Sequence, residues 1–139
     1  MLQPEFIAVW AWADLLIKHL GDDEHLIIDG TPRKVHEAQV LDKALQFYGR
    51  QKPFFVFMDV SREWSRDRLI ARHRSDDSEE DIERRLGWYE TDVVPAINFF
   101  RNNSHYSFVE IDGEQPIEDV HAEVIQKLGL EAPVLPEAL

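Results

Sequence analysis

The chain of 139 residues contains no cysteine. Disulfides and thiolate metal sites are therefore excluded, and a reducing compartment fits, with the cytoplasm as the expected location. Positive charge is also short: 15 Lys and Arg stand against 27 Asp and Glu, for a net charge of −12. A general nucleic-acid binder or a protein of anionic membranes would carry a basic footprint, so neither partner is expected. There is no long uninterrupted apolar run. The first apolar stretch, Pro4 to Leu20, is broken by Asp14 and Lys18 and is too short and polar to span a bilayer. Acidic Glu5 stands where a secretory signal would be basic. Neither an internal repeat nor a low-complexity tract is present.

What remains is an ordinary globular composition, 44% hydrophobic and 30% charged, of a length for one domain with a real core. Apolar positions in Pro4 to Leu20 go nearly all the way round a helix: Phe6, Ile7, Val9, Trp10, Trp12, Leu15, Leu16 and Ile17 cannot share one stripe. Such a helix is either a central core element or one covered by a large partner, another subunit or a further part of the same protein. Leu26-Ile-Ile-Asp29 reads as a buried strand, turning on Gly30 into a helix with Thr31 as N-cap and Pro32 in the first turn. Pro32 to Tyr48 is amphipathic, and Phe54 to Val60 is a strand apolar throughout, as a strand covered on both faces should be. Ser61 caps a helix running to about His73, and Ser78-Glu-Glu-Asp81 has the form of a capping box. It opens a long helix to about Asn102, weakened at Gly87 and kinked at Pro95. A third strand, Ser107 to Asp112, precedes a last amphipathic helix from Pro116 to Gly129, and the tail 131–139 should be a loose end. Strands alternating with helices predict an α/β fold with three parallel strands, a meagre sheet for that class.

Two features carry chemistry. At Asp29-Gly-Thr-Pro-Arg33 an acid ends a strand and an arginine stands in the turn beyond. The carboxyl ends of parallel strands are where ligands sit, an acid there can hold a metal's water, and an arginine can grip an anion. Further on, seven of the ten arginines of this acidic chain fall between Arg62 and Arg85. Arg68 and Arg72 share a helix face, Arg74 follows, and Arg85 lies in the next helix beyond Asp76-Asp77. A hairpin there could gather four guanidinium groups around one phosphate. The same residues could equally form a solvated charged face knitted by ion pairs.

With these residues in view, the sequence resembles adenylate kinases, of the nucleoside monophosphate kinase family. The resemblance rests on Asp29-Gly-Thr-Pro-Arg33, on Asp67-Arg-Leu-Ile-Ala-Arg72-His-Arg74-Ser-Asp-Asp77, on Ile82-Glu-Arg-Arg85-Leu-Gly-Trp-Tyr89 with Val94-Pro-Ala-Ile97, and on Ile111-Asp-Gly-Glu-Gln-Pro116. It implies a P-loop NTPase-like α/β fold, a parallel sheet with helices on both faces, here incomplete because the family's sheet has five strands. It implies a core over residues 1–130 with a short lid at about 72–77. It also implies Mg-dependent transfer of a phosphoryl group from ATP to AMP. Gly30, Thr31, Pro32 and Arg33 would line the AMP site, and Glu37 falls where the family usually has a glutamine that reads adenine. Asp29 would hold magnesium through water. Arg68 would stack on the ATP adenine, Arg72 would contact ATP phosphate, Arg74 and Arg85 would bridge AMP and the transferred phosphate, and Gln115 would meet the ATP adenine through its backbone. One motif of the family is not there: no G-x-x-x-x-G-K-[ST] occurs in the chain. The resemblance is therefore to the family's C-terminal portion, and the chain alone is expected to be inactive or nearly so. The glutamate at position 37 keeps a UMP/CMP-type kinase open as an alternative, and the apolar first helix keeps open a non-catalytic partner-binding module.

Overall fold

A computed structural model describes residues 4–72 and 78–130. They form six α-helices and two strands: α1 (Glu5–His19), α2 (Val35–Phe47), β1 (Phe54–Asp59), α3 (Arg62–Ala71), α4 (Glu79–Trp88), α5 (Val94–Arg101), β2 (Ser107–Asp112) and α6 (Ile117–Leu128), with a π-helical turn at Tyr89–Val93. The chain divides into two compact units, one of residues 1–53 and 87–105, the other of residues 54–86 and 106–139.

The first unit is helical. Alternating apolar and polar positions of α2 turn Ala38, Leu41 and Leu45 inward, and α5 supplies Ala96, Ile97 and Phe100, since α2 packs on α5 and α1 packs on α2. Asn103, just past α5, donates to Asp42 of α2 at 3.4 Å. Helix α1 does not meet the expectation of a central core helix: Leu16 is its one buried side chain. Proline explains the break in the long helix. Pro95 lacks the N–H that an α-helix would use, and the preceding turn widens so that Val94 N–H reaches Tyr89 C=O.

Leu26–Asp29, expected as a strand, is not one. A strand exists only with a partner edge, and among the described residues this segment has none; Ile27 is 92% exposed. The loop just before it is tied down by Arg50, whose guanidinium donates to Glu24 C=O at 3.0 Å and Gly21 C=O at 2.5 Å. The sheet therefore has two strands among the described residues, not three.

In the second unit β1 and β2 pair in parallel, Phe54 opposite Ser107 through Asp59 opposite Asp112. Phe108 stacks on Phe55 with centroids 5.3 Å apart, and Ile111 is fully buried. Strand β1, expected to be covered on both faces, is exposed at Phe54 and Met58. Helix α6 lies on β2, and Lys127 Nζ donates to Glu110 C=O at 2.7 Å. Gly113 closes the end of the sheet. Its N–H donates to Asp59 C=O at 2.9 Å, and a Cβ there would meet Val60 Cγ1 at 2.6 Å, so only glycine fits without displacement.

Candidate functional site

The Asp29–Arg33 turn is built by short-range bonds. Gly30 takes φ +75° and the Thr31–Pro32 peptide is cis. Helix α2 starts at Val35 with Lys34 as N-cap and no side-chain cap bond, so Thr31 is not the cap and Pro32 is not in the first turn. The cap role falls to Glu37. Its Oε2 accepts from Arg33 N–H at 2.8 Å, a reach-back bond like that of a capping box but ending one residue before the N-cap. Glu37 is 4% exposed, the one buried charged side chain among the described residues. Arg33 in turn folds over the loop, its Nε donating to Gly30 C=O at 2.8 Å. Thr31 Oγ1 is buried with no hydrogen-bond partner. Gly30, Thr31, Pro32, Arg33 and Glu37 are thus one knot at the head of α2, with Asp29 exposed at its edge.

The arginine-rich hairpin belongs to the second unit. Ser61 caps α3, its Oγ accepting from Trp64 N–H at 3.2 Å. Two of the seven arginines join α3 to α4: Arg62 donates to Glu83 at 2.7 Å and Arg66 Nε at 3.2 Å, with Glu79 a further 3.8 Å partner of Arg66. The Arg62 hydrogen bond, then Arg66, holds the Glu83 carboxyl below its ordinary range. Arg84 pairs with Asp81 within α4. The N-cap half of the capping box is present, with Asp81 N–H donating to Ser78 Oγ at 3.2 Å, and Ser78 Oγ–H donates in turn to the Asp81 carboxylate at 2.5 Å. The Ser78 bond and the charge of Arg84 lower the Asp81 pKa. So part of the cluster is the ion-paired scaffold that was one of its two readings.

Arg68 lies over the Trp64 ring, 4.6 Å from its centroid, a cation–π contact. Arg72 ends α3 and is exposed, and Arg85 is half-buried on α4. Arg74 and the lid at 72–77, Arg72 apart, lie outside the described residues, as does the tail 131–139.

Gln115 sits in the turn after β2. Its amide donates to Asp112 C=O at 3.1 Å and to Glu123 at 2.6 Å, which pins the turn to α6. The neighbouring Glu114 accepts from Ser61 N–H at 2.7 Å, so the head of α3 and the β2 turn are tied together, and that backbone bond lowers the Glu114 pKa. This tie escapes sequence reading because the partners are far apart along the chain. Asp59 and Asp112, neighbours in the strand register at the carboxyl end of the sheet, also escape it. Asp112 uses one oxygen to accept from Glu114 N–H at 2.9 Å, a turn-forming role. No group of three or more potential metal-ligating side chains occurs among the described residues. None of their helices is long and apolar enough to cross a membrane.

No family model matches the chain. Curated proteins do. It is 37% identical over 103 residues to adenylate kinase 1 of Nostoc sp., covering 74% of this chain and 55% of that protein. It is 35% identical over 102 residues to the adenylate kinase of Cyanothece sp., covering 70% and 51%. The chain is a homologue of the adenylate kinases. The adenylate kinase of Corynebacterium glutamicum adds 31% identity over 106 residues, 76% of this chain and 56% of the relative. This adenylate kinase homologue spans about half the length of the curated relatives it matches. Its helix-rich α/β architecture with parallel strands is that of an incomplete P-loop kinase fold.

Proposed function

We propose that the chain carries the monophosphate-binding and phosphate-clamping parts of a nucleoside monophosphate kinase that converts ATP and AMP to two ADP. The homology to adenylate kinases over about three quarters of the chain carries this reading. The two built turns, at the head of α2 and after β2, support it.

In this mechanism an AMP phosphate oxygen attacks the γ-phosphorus of ATP in line, the bond to the β–γ bridging oxygen breaks, and ADP leaves. Protein side chains do no covalent chemistry; they hold the two phosphates together and neutralise the charge that spreads over the transferring group. Arg33 grips the AMP phosphate beside Gly30, Thr31 and Pro32. Arg68, held against Trp64, stacks on the ATP adenine, whose edge meets the backbone at Gln115. Arg72 binds ATP phosphate, and Arg74 and Arg85 bridge the donor and acceptor phosphates. Asp29, an exposed carboxylate with oxygen donors only, suits a magnesium ion bound mainly by water and substrate phosphates. A magnesium ion held there would supply positive charge against the phosphate oxygens. The reading assigns the chain to nucleotide biosynthesis in the cytoplasm.

Backbone amides and a lysine from a glycine-rich loop would cradle the ATP phosphates, and this chain has no such motif. It should therefore bind AMP yet turn over little or nothing alone. A coupled assay for ADP, together with calorimetric titration of AMP, UMP and CMP, tests both parts. The expected result is background turnover, AMP preferred over the pyrimidine nucleotides, and an AMP affinity at least tenfold weaker in Arg33→Ala. Family-like turnover by the 139-residue chain would overturn the expected inactivity. Equal AMP affinity of the Arg33→Ala variant would overturn the site.

A further inference from the structure

Helix α3 does not complete its own cap. In a full capping box the residue three beyond the N-cap reaches back to the N-cap amide. After Ser61 that residue is Trp64, whose indole offers no acceptor. The serine half of the box is made, with Trp64 N–H donating to Ser61 Oγ at 3.2 Å. The other half comes from beyond β2: Glu114, 53 residues further along the chain, accepts the Ser61 N–H at 2.7 Å. That backbone bond first, and the Ser61 hydroxyl second, keep the Glu114 carboxyl below its ordinary range.

The sheet explains the placement. Strands β1 and β2 stay in register to Asp59 and Asp112, and Gly113 N–H adds one more rung to Asp59 C=O at 2.9 Å. Beyond that rung the two segments leave for different helices, α3 and α6. The next rung is made by a side chain, that of Glu114. Each end of it leads to a residue of the proposed nucleotide site. On α3, Trp64 carries Arg68 at 4.6 Å from its ring centroid. On the other side Gln115 follows Glu114 directly. The Gln115 amide is engaged by Asp112 C=O and Glu123, and Glu123 is paired with Lys127 at 2.7 Å, so the turn that carries the Gln115 backbone is fixed against α6.

We infer that Glu114 is a positioning residue for nucleotide-base binding, setting the spacing between the Arg68 guanidinium and the Gln115 backbone. This rests on the proposed reading of those two as contacts to the ATP adenine. A base held between a stacking face and a backbone edge needs both at one separation. The strand ladder fixes the strand ends, and the Glu114 bond fixes the last step from those ends to the two contacts. Glu114 itself touches no nucleotide.

Titration of the 139-residue chain with ATP and with inorganic tripolyphosphate, followed by nuclear magnetic resonance, reads the base contribution as the ratio of the two affinities. Changes in protein charge act on both ligands and cancel in the ratio. The parent should prefer ATP by about tenfold, and Arg68→Ala should remove most of that preference. Glu114→Ala should lower the ratio by about threefold or more, with unchanged far-ultraviolet circular dichroism. Glu114→Asp, one methylene short of the Ser61 amide, should show the same loss with the charge kept. Glu114→Gln, which keeps an acceptor at full reach, should hold the ratio within about twofold of the parent. An unchanged ratio in the alanine and aspartate variants, with the preference lost in Arg68→Ala, would overturn the positioning role and leave the base site standing. Equal losses in Glu114→Gln and Glu114→Ala would also overturn it, because charge and not the bond would then be what counts. A parent that binds ATP no better than tripolyphosphate, or an Arg68→Ala variant with the full preference, would bring down the base site and the inference with it.

Discussion

Replacing Gly113 by alanine probes how the carboxyl end of the sheet is closed. The added methyl would stand 2.6 Å from Val60 Cγ1 and 3.3 Å from Asp59 C=O. Carbon pairs prefer about 3.5–4.0 Å, so one of the two must yield by roughly 1 Å. The carbonyl resists, because it accepts the Gly113 N–H at 2.9 Å. Val60 resists too, because a β-branched side chain has few alternative rotamers. Overpacking of this kind costs about 1–3 kcal/mol. Val60→Ala removes the clashing methyl and leaves the milder contact with the carbonyl, so the double variant should recover about 1–2 kcal/mol relative to the sum of the single changes. Urea unfolding followed by tryptophan fluorescence measures all four corners of this cycle. If Gly113→Ala is as stable as the parent, or if the two substitutions simply add, the close approach is not what demands glycine here. The same substitution reaches the proposed nucleotide site. Gln115 lies two residues further on, pinned to Asp112 and Glu123, and a displaced turn should weaken ATP binding as well.

Three further outcomes are expected. Glu37→Ala should cost about 2–4 kcal/mol in urea unfolding, since it leaves the Arg33 N–H unpaired and opens a void, while Glu37→Gln, which keeps an acceptor, should cost about 1 kcal/mol; equal stability of both variants with the parent would remove the cap role. Ser61→Ala should cost about 1 kcal/mol by loss of the α3 cap, seen as a lower melting temperature. Glu83, Asp81 and Glu114 are all held below their ordinary values of 4.5, 3.8 and 4.5. A carboxyl depressed on folding stabilises the native state above its unfolded pKa and loses that contribution as pH falls through its folded one. The melting temperature should therefore drop as pH is taken below about 4.5, and more shallowly in Glu83→Gln; an unchanged slope in that variant would mean that Arg62 and Arg66 do not stabilise the fold through Glu83.

Local signals were the legible part of this chain. Ser61 and Ser78 cap the helices their sequence context announces, and Gly129 ends α6 in the left-handed conformation, at φ 65°. These features depend on residues within one turn of each other. Leu26–Asp29 shows the opposite case: its composition is that of a strand, yet strand formation is settled by a neighbour's edge, not by the segment itself. The head of α2 was misplaced by three residues because Thr31 and Pro32 are common helix starters, whereas Glu37 reaching back to Arg33 selects the later start. Glu83 stands next to Arg84 in sequence but bonds Arg62 and Arg66, a choice that only the packing of α3 beside α4 determines. Recognition of the family came from several weak motifs in a fixed order, which no single helix or strand could supply.

Among the described residues strands β1 and β2 each have one neighbour, and β1 reads Phe-Phe-Val-Phe-Met before its first charge. Such an edge is a template for further chains, and natural proteins guard it. Here the guard is the chain's net charge of −12, and mutual repulsion of that kind reaches only as far as the Debye length, which shrinks from about 10 Å at 0.1 M salt to about 3 Å at 1 M. The solubility of this protein is therefore a property of its solvent: concentrated salt should turn a well-behaved solution into one that forms sheet-rich aggregates, and dilution should prevent it.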